Sequence, residues 1–111
     1  MIINNEIIDI PKEKVVNALI AEGVPGLSGS YMILSELPMY QNKIAYGSKG
    51  FPWTIAKRDI DYNIDQFPVS KKLRDDTYFG MEMCLFDFTD EEVDCIIDAF
   101  HKVWNNLHEL K

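Results

Sequence analysis

Cysteine is scarce in this chain. Only Cys84 and Cys95 occur, and neither belongs to a CxxC pair. That excludes a disulfide scaffold and leaves two reduced, buried thiols as the expectation. Basic residues are outnumbered, 11 Lys and Arg against 18 Asp and Glu, for a net charge of −7. A general nucleic-acid binder needs a basic face, so that class is excluded. A mildly acidic surface serves solubility and does not itself specify a cationic partner. No apolar run approaches the roughly 20 residues of a membrane-spanning helix. Met1, Ile2 and Ile3 carry neither a basic region nor a cleavage site, so no signal peptide is read and a cytoplasmic location is expected. The abrupt apolar start, read as a strand, leads us to expect a further segment upstream.

Several chemical constellations are lacking too. His101 and His108 stand seven residues apart, not at the four-residue step of zinc-binding helices, and no Cys or carboxylate completes a set. Asp75, Asp76 and Glu82 read as solvated charge and not as an acid/base pair. Gly47-Ser48-Lys49-Gly50 lacks phosphate-loop spacing and opens no evident helix. Ser28-Gly29-Ser30 lacks the glycine pattern of a nucleophile elbow. Lys57 and Arg58 read as exposed charge, with an anion contact left open. No catalytic, cofactor-binding or metal-binding residue is therefore assigned.

What is present is a globular chain of 111 residues with 47% hydrophobic content, enough for one domain with a modest core. Its organising stretch is 89–110. Thr89 and Glu92 form a capping box, and Asp90, Glu91 and Glu92 place negative charge at the positive end of the helix dipole. Val93, Ile96, Ile97, Phe100, Val103, Trp104, Leu107 and Leu110 then recur at three- and four-residue steps, which predicts one amphipathic helix roughly 30 Å long. A second helix is predicted over 10–22, with Pro11 in its first turn, an apolar face of Val15, Val16, Leu19 and Ile20, and Gly23 as its left-handed cap.

Residues 1–8 predict one or two short strands, and 24–31 a short extended segment. Residues 33–66 predict a long irregular segment rich in aromatics, the kind that is functional or covered by another surface. A short helix is expected over 68–74 with Val69 and Leu73 inward. The alternation over 78–86, with Phe79, Met81, Met83 and Leu85 on one side, predicts the best strand of the chain. This order predicts an α/β (α+β) two-layer sandwich, a small mixed or antiparallel sheet with helices on one face.

Four blocks in this order resemble the C-terminal part of the DegT/StrS-type sugar aminotransferases. Asn17-Ala18-Leu19-Ile20-Ala21-Glu22-Gly23-Val24-Pro25 is similar to "ALxAEGIP", and Leu37-Pro38-Met39-Tyr40 falls where that family often has "PLY". Phe67-Pro68-Val69-Ser70-Lys71-Lys72-Leu73 is similar to "CPVAExL", with Phe67 in place of Cys and Ser70-Lys71 in place of Ala-Glu. The run from Leu85 to Val103, containing Thr89-Asp90-Glu91-Glu92-Val93-Asp94, is similar to "LTDEDVDxIxxAxxKV". The resemblance covers most of the chain.

The resemblance implies the small C-terminal domain of a pyridoxal-phosphate-dependent aminotransferase that moves an amino group to a keto-sugar or cyclitol. The family's Schiff-base lysine and the acidic partner of its pyridine nitrogen belong to a large domain outside these residues. Implied partners are that large domain and, in the intact enzyme, a second copy in a homodimer. The resemblance makes 28–53 the candidate cleft-facing wall, and by position in it Tyr31, Tyr40, Phe51 and Trp53 are the candidate substrate-binding residues, with burial against the large domain as the alternative for all four. The chain alone is expected to be inactive. A different class also remains: a stand-alone binding or dimerisation module that keeps the fold without the chemistry.

Overall fold

Helix α1 spans Lys12–Ala21 and buries Val15, Val16 and Leu19. Pro11 stands at its N-cap, one position before the first helical residue. At its other end Gly23 adopts φ +91°, where an L side chain would be strained. The Gly23 N–H donates to the Ile20 carbonyl at 3.0 Å and the Val24 N–H to the Leu19 carbonyl at 3.1 Å. These are the paired bonds of a Schellman cap, and buried Val24 supplies its apolar contact. Ile20, expected on the inner face, is instead half exposed.

The computed structural model describes residues 1–111. The chain is α+β, with four α-helices and one two-stranded antiparallel sheet. It divides into two units, Met1–Tyr31 with Leu73–Lys111, and Met32–Lys72. No helix is long and apolar enough to cross a membrane.

In the first unit, β1 (Leu27–Ser28) pairs with β2 (Gly80–Met81), Leu27 opposite Met81 and Ser28 opposite Gly80. The N-terminal segment, predicted as strand, forms an isolated antiparallel bridge between Ile2 and Tyr78. Around it the Ile3 N–H donates to the Thr77 carbonyl and the Phe79 N–H to the Met1 carbonyl. This pairing draws Ile3 and Phe79 into the core with Ile10, Val15, Val16, Leu19, Val24, Ala99 and Val103. Gly26 is required here: at φ +64° its added Cβ would stand 2.9 Å from the Phe86 ring.

The strand predicted over 78–86 is shorter than its alternation suggests. Past Met81 the Glu82 N–H still reaches the Gly26 carbonyl at 3.0 Å, and then Met83–Leu85 coils into a 3₁₀ turn. A strand persists only while a neighbour accepts its backbone bonds, and β1 is two residues long. Leu85, on the same side of that alternation as buried Phe79, is 71% exposed.

Helix α4 spans Asp90–Asn105 and has the predicted capping box. The Glu92 N–H donates to Thr89 Oγ1 at 3.3 Å, and the Thr89 N–H to Glu92 Oε2 at 2.9 Å. It stops earlier than its apolar pattern. Asn106 turns its amide back onto the Lys102 carbonyl at 2.8 Å, and a 3₁₀ turn, Leu107–Leu110, follows. Leu107 and Leu110 still pack on the core, so the stripe is kept while the helix type changes. The Lys102 ammonium meets the Glu22 carboxylate at 2.6 Å and links the end of α1 to α4. Both cysteines are free and exposed, correcting the expectation of buried thiols.

The second unit is built of short turns. A 3₁₀ turn, Leu34–Glu36, precedes α2 (Pro38–Gln41), and further 3₁₀ turns follow at Trp53–Ile55 and Ile64–Gln66. Helix α3, Pro68–Lys72, starts at Pro68 as expected, but Val69 is 72% exposed and not inward.

Candidate functional site

Helix α2 positions the best-formed surface feature of the second unit. Leu37 stands at its N-cap in an extended conformation and Pro38 is the first helical residue, where a missing N–H costs nothing. Lys43 ends it in a left-handed conformation, φ +52°, with the Lys43 N–H on the Tyr40 carbonyl and the Ile44 N–H on the Met39 carbonyl. This is a second Schellman cap, made with a lysine where glycine is usual. The Lys43 side chain pairs with Asp59, whose carboxyl is held below its ordinary value by that hydrogen bond and by the lysine charge.

On this frame three aromatic rings meet. Tyr40 and Tyr62 lie 5.2 Å apart at 48°, while Trp53 stands edge-on to Tyr40 at 6.1 Å and to Tyr62 at 6.4 Å. Such edge-to-face contacts set the negative ring face against the positive ring edge. The Trp53 indole N–H donates to the Tyr62 hydroxyl at 3.0 Å. The Gln41 amide nitrogen holds the surrounding backbone, donating to the Ser35 carbonyl at 2.6 Å and the Tyr62 carbonyl at 3.0 Å. Beside the rings opens a cleft of about 650 Å³, lined by Tyr40, Tyr62, Gln41 and the acidic Glu36, Asp59 and Asp61. The lining thus combines two aromatic side chains with hydrogen-bonding and acidic groups.

Tyr40 and Trp53 come together. Phe51 pairs instead with Tyr46, at 6.2 Å, across the turn made by Gly47-Ser48-Lys49-Gly50. Tyr31 belongs to the first unit, where its ring contacts Tyr78 at 6.1 Å. Tyr62 was missed by sequence reasoning. Its only signal was that it is one more aromatic in an irregular segment, 22 residues beyond Tyr40.

Smaller clefts open on the first unit. One, of about 190 Å³, lies between the Gly23–Val24–Pro25 turn and the Glu92, Cys95 and Ala99 side of α4. Another, of about 440 Å³, is lined by Lys12, Glu13, Gly29, Ser30, Arg74 and Asp75. No group of three or more His, Cys, Asp or Glu residues is arranged to hold a metal ion.

Pyridoxal phosphate finds no fit at the buried lysine. It needs a lysine free to form a Schiff base in a sheltered pocket. Lys12 is the buried lysine, and its ammonium is committed to the Arg74 carbonyl. Asp75, a possible acidic partner, is paired with Arg74 at 2.7 Å.

No family model, curated protein or solved structure matches the chain.

Proposed function

We propose that this chain is the small C-terminal domain of a DegT/StrS-type aminotransferase. In that role it packs on a cofactor-bearing large domain and contributes a wall of the substrate cleft. The enzyme's reaction is amino transfer to a keto-sugar or cyclitol in the cytoplasm, with the intact enzyme a homodimer. The observation that carries the reading is where the four resembling blocks fall. The Ala-Glu-Gly-Val-Pro run is the last turn and Schellman cap of α1. Leu37-Pro38-Met39-Tyr40 starts α2 and Phe67-Pro68-Val69 starts α3. Thr89 to Glu92 is the capping box of α4. Motifs that coincide with helix starts and stops specify local geometry, which random similarity does not require.

On this reading the sandwich is a small sheet layer including β1 and β2 under α1 and α4. Tyr40 and Trp53, with Tyr62, offer the ring faces and hydroxyl to substrate, and the misfit of pyridoxal phosphate reflects a cofactor site in the large domain. The chain by itself binds and orients and does no chemistry.

The test is to read the coding sequence upstream of Met1 for an in-frame large domain, and to titrate the isolated chain with pyridoxal phosphate. An upstream domain, together with no specific absorbance at the Schiff-base band, is expected. A stoichiometric lysine adduct on the chain alone would falsify the reading.

The alternative is a stand-alone binding or dimerisation module. It is favoured by the exposed apolar side chains of the second unit, among them Met32, Leu34, Tyr46 and Ile55. It predicts self-association at high concentration, and a strict monomer in sedimentation would exclude the dimerisation form of it.

A further inference from the structure

Helix α4 has two apolar faces. On the inner one Ala99 and Val103 are buried, and Ile96 packs against the same core. The other is the line Val93, Ile97, Phe100 and Trp104, spaced by four, three and four residues. Helical geometry at about 100° per residue sets this second line roughly 90° round from the first. Ile97 is 46% and Trp104 39% exposed. Phe100 packs against the core, and its ring lies 5.9 Å from that of Trp104 at 31° between planes. Trp104 is thus a large aromatic side chain on a packed base, the kind that dominates binding at interfaces.

The flank of this line away from the core carries Asp90, Asp94 and Asp98 at four-residue steps, followed by His101 and Asn105. All three aspartates are exposed, and none makes an ion pair. Like charges at this spacing repel along a helix, so the row is relieved when cations stand opposite it.

We propose that this face of α4 docks an amphipathic helix of another polypeptide whose apolar side is rimmed by Lys or Arg. Val93 to Trp104 covers three turns, about 16 Å, the reach of a partner helix anchored at i, i+3/i+4 and i+7. The charge row argues against a second copy of this chain. Antiparallel pairing of two such faces sets each aspartate row against its twin, and each copy brings a net charge of −7. The inference needs only α4 and stands whether or not the aminotransferase reading does.

The probe is a synthetic helical peptide of about 16 residues with a leucine stripe and a lysine rim, beside a twin with glutamate in place of each lysine. Each is titrated into the full chain by calorimetry. The lysine peptide is expected to bind at least about tenfold more tightly than its twin, and the difference shrinks as salt is raised. Ile97→Ser and Trp104→Ser each weaken binding by about tenfold with unchanged circular dichroism. Joint substitution Asp94→Lys and Asp98→Lys reverses the preference between twins. Equal binding of the twins, or binding of neither, overturns the proposal. So does self-association in sedimentation that Ile97→Ser abolishes.

Discussion

Every buried apolar side chain of the chain lies in the first unit, from Ile3 and Phe79 to Ala99 and Val103. The second unit buries only Ser35, whose hydroxyl has no hydrogen-bond partner. It is held by half-buried aromatic edges, by the Gln41 amide, and by exposed pairs such as Lys43 with Asp59 and Lys71 with Asp65. These hold a shape without removing much apolar surface from water, the dominant source of folding free energy. The first unit can therefore stand on its own burial. The second is a framework of local contacts and sits at the low-stability end of the molecule.

The comparison breaks most sharply at Phe79, which is 1% exposed. Phe79→Ala is expected to destabilise the first unit by about 3–5 kcal/mol, through lost transfer energy and the cavity left behind. That is a large part of what a domain this size has. Denaturant unfolding followed by circular dichroism checks it, and a midpoint unchanged from the parent would mean that the core is elsewhere. Gln41→Ala is the counterpart in the second unit. It removes two donors to backbone carbonyls and is expected to cost about 1–2 kcal/mol locally. Hydrogen exchange should quicken around Tyr62 while amides of α1 and α4 keep their protection. A uniform loss across both units would erase the distinction. Thr89→Ala takes the side-chain half of the capping box from α4 and should lower the stability of the first unit by about 1 kcal/mol, read as a shift in its unfolding midpoint.

How much of this was legible in the sequence depends on how local the deciding physics is. The capping box and the Gly23 cap were readable because each is closed by residues within a few positions of one another. The alternation over 78–86 misled because a strand's extent belongs to its neighbour. It ends soon after the Glu82 N–H finds the Gly26 carbonyl, and Met83 and Leu85 then have no ladder to align them. The thiols misled in the same way: cysteine's apolar character favours burial, but Cys84 lies in the 3₁₀ turn and Cys95 on an open side of α4. At the candidate site, Tyr40 and Trp53 were readable as aromatics in an irregular segment. Their grouping with Tyr62 was not, because it depends on Gln41 closing a long stretch of backbone. The separation of Phe51 depends likewise on a turn whose glycines adopt positive φ, +66° at Gly47 and +74° at Gly50.

The smallest expected effect concerns Lys43 and Asp59, and it sharpens the contrast because it touches only the second unit. Asp59 has its carboxyl below the ordinary value of 3.8, first through the hydrogen bond from Lys43 and then through its charge. A carboxyl whose folded value is depressed binds its proton less readily when folded than when unfolded. Its contribution is therefore fully present above the unfolded value and is lost as pH falls through the folded one. The pair should weaken only below about pH 3.8, with no change across the neutral range. Because Asp59 is fully solvent-exposed, screening keeps the contribution small and salt-sensitive. Titration of the Asp59 carboxyl by carbon-detected magnetic resonance checks the direction. Lys43→Met should raise its midpoint toward the ordinary value, and added salt should do the same in the parent. A midpoint already at or above the ordinary value in the parent would mean that the left-handed lysine at the end of α2 does not hold Asp59 in solution.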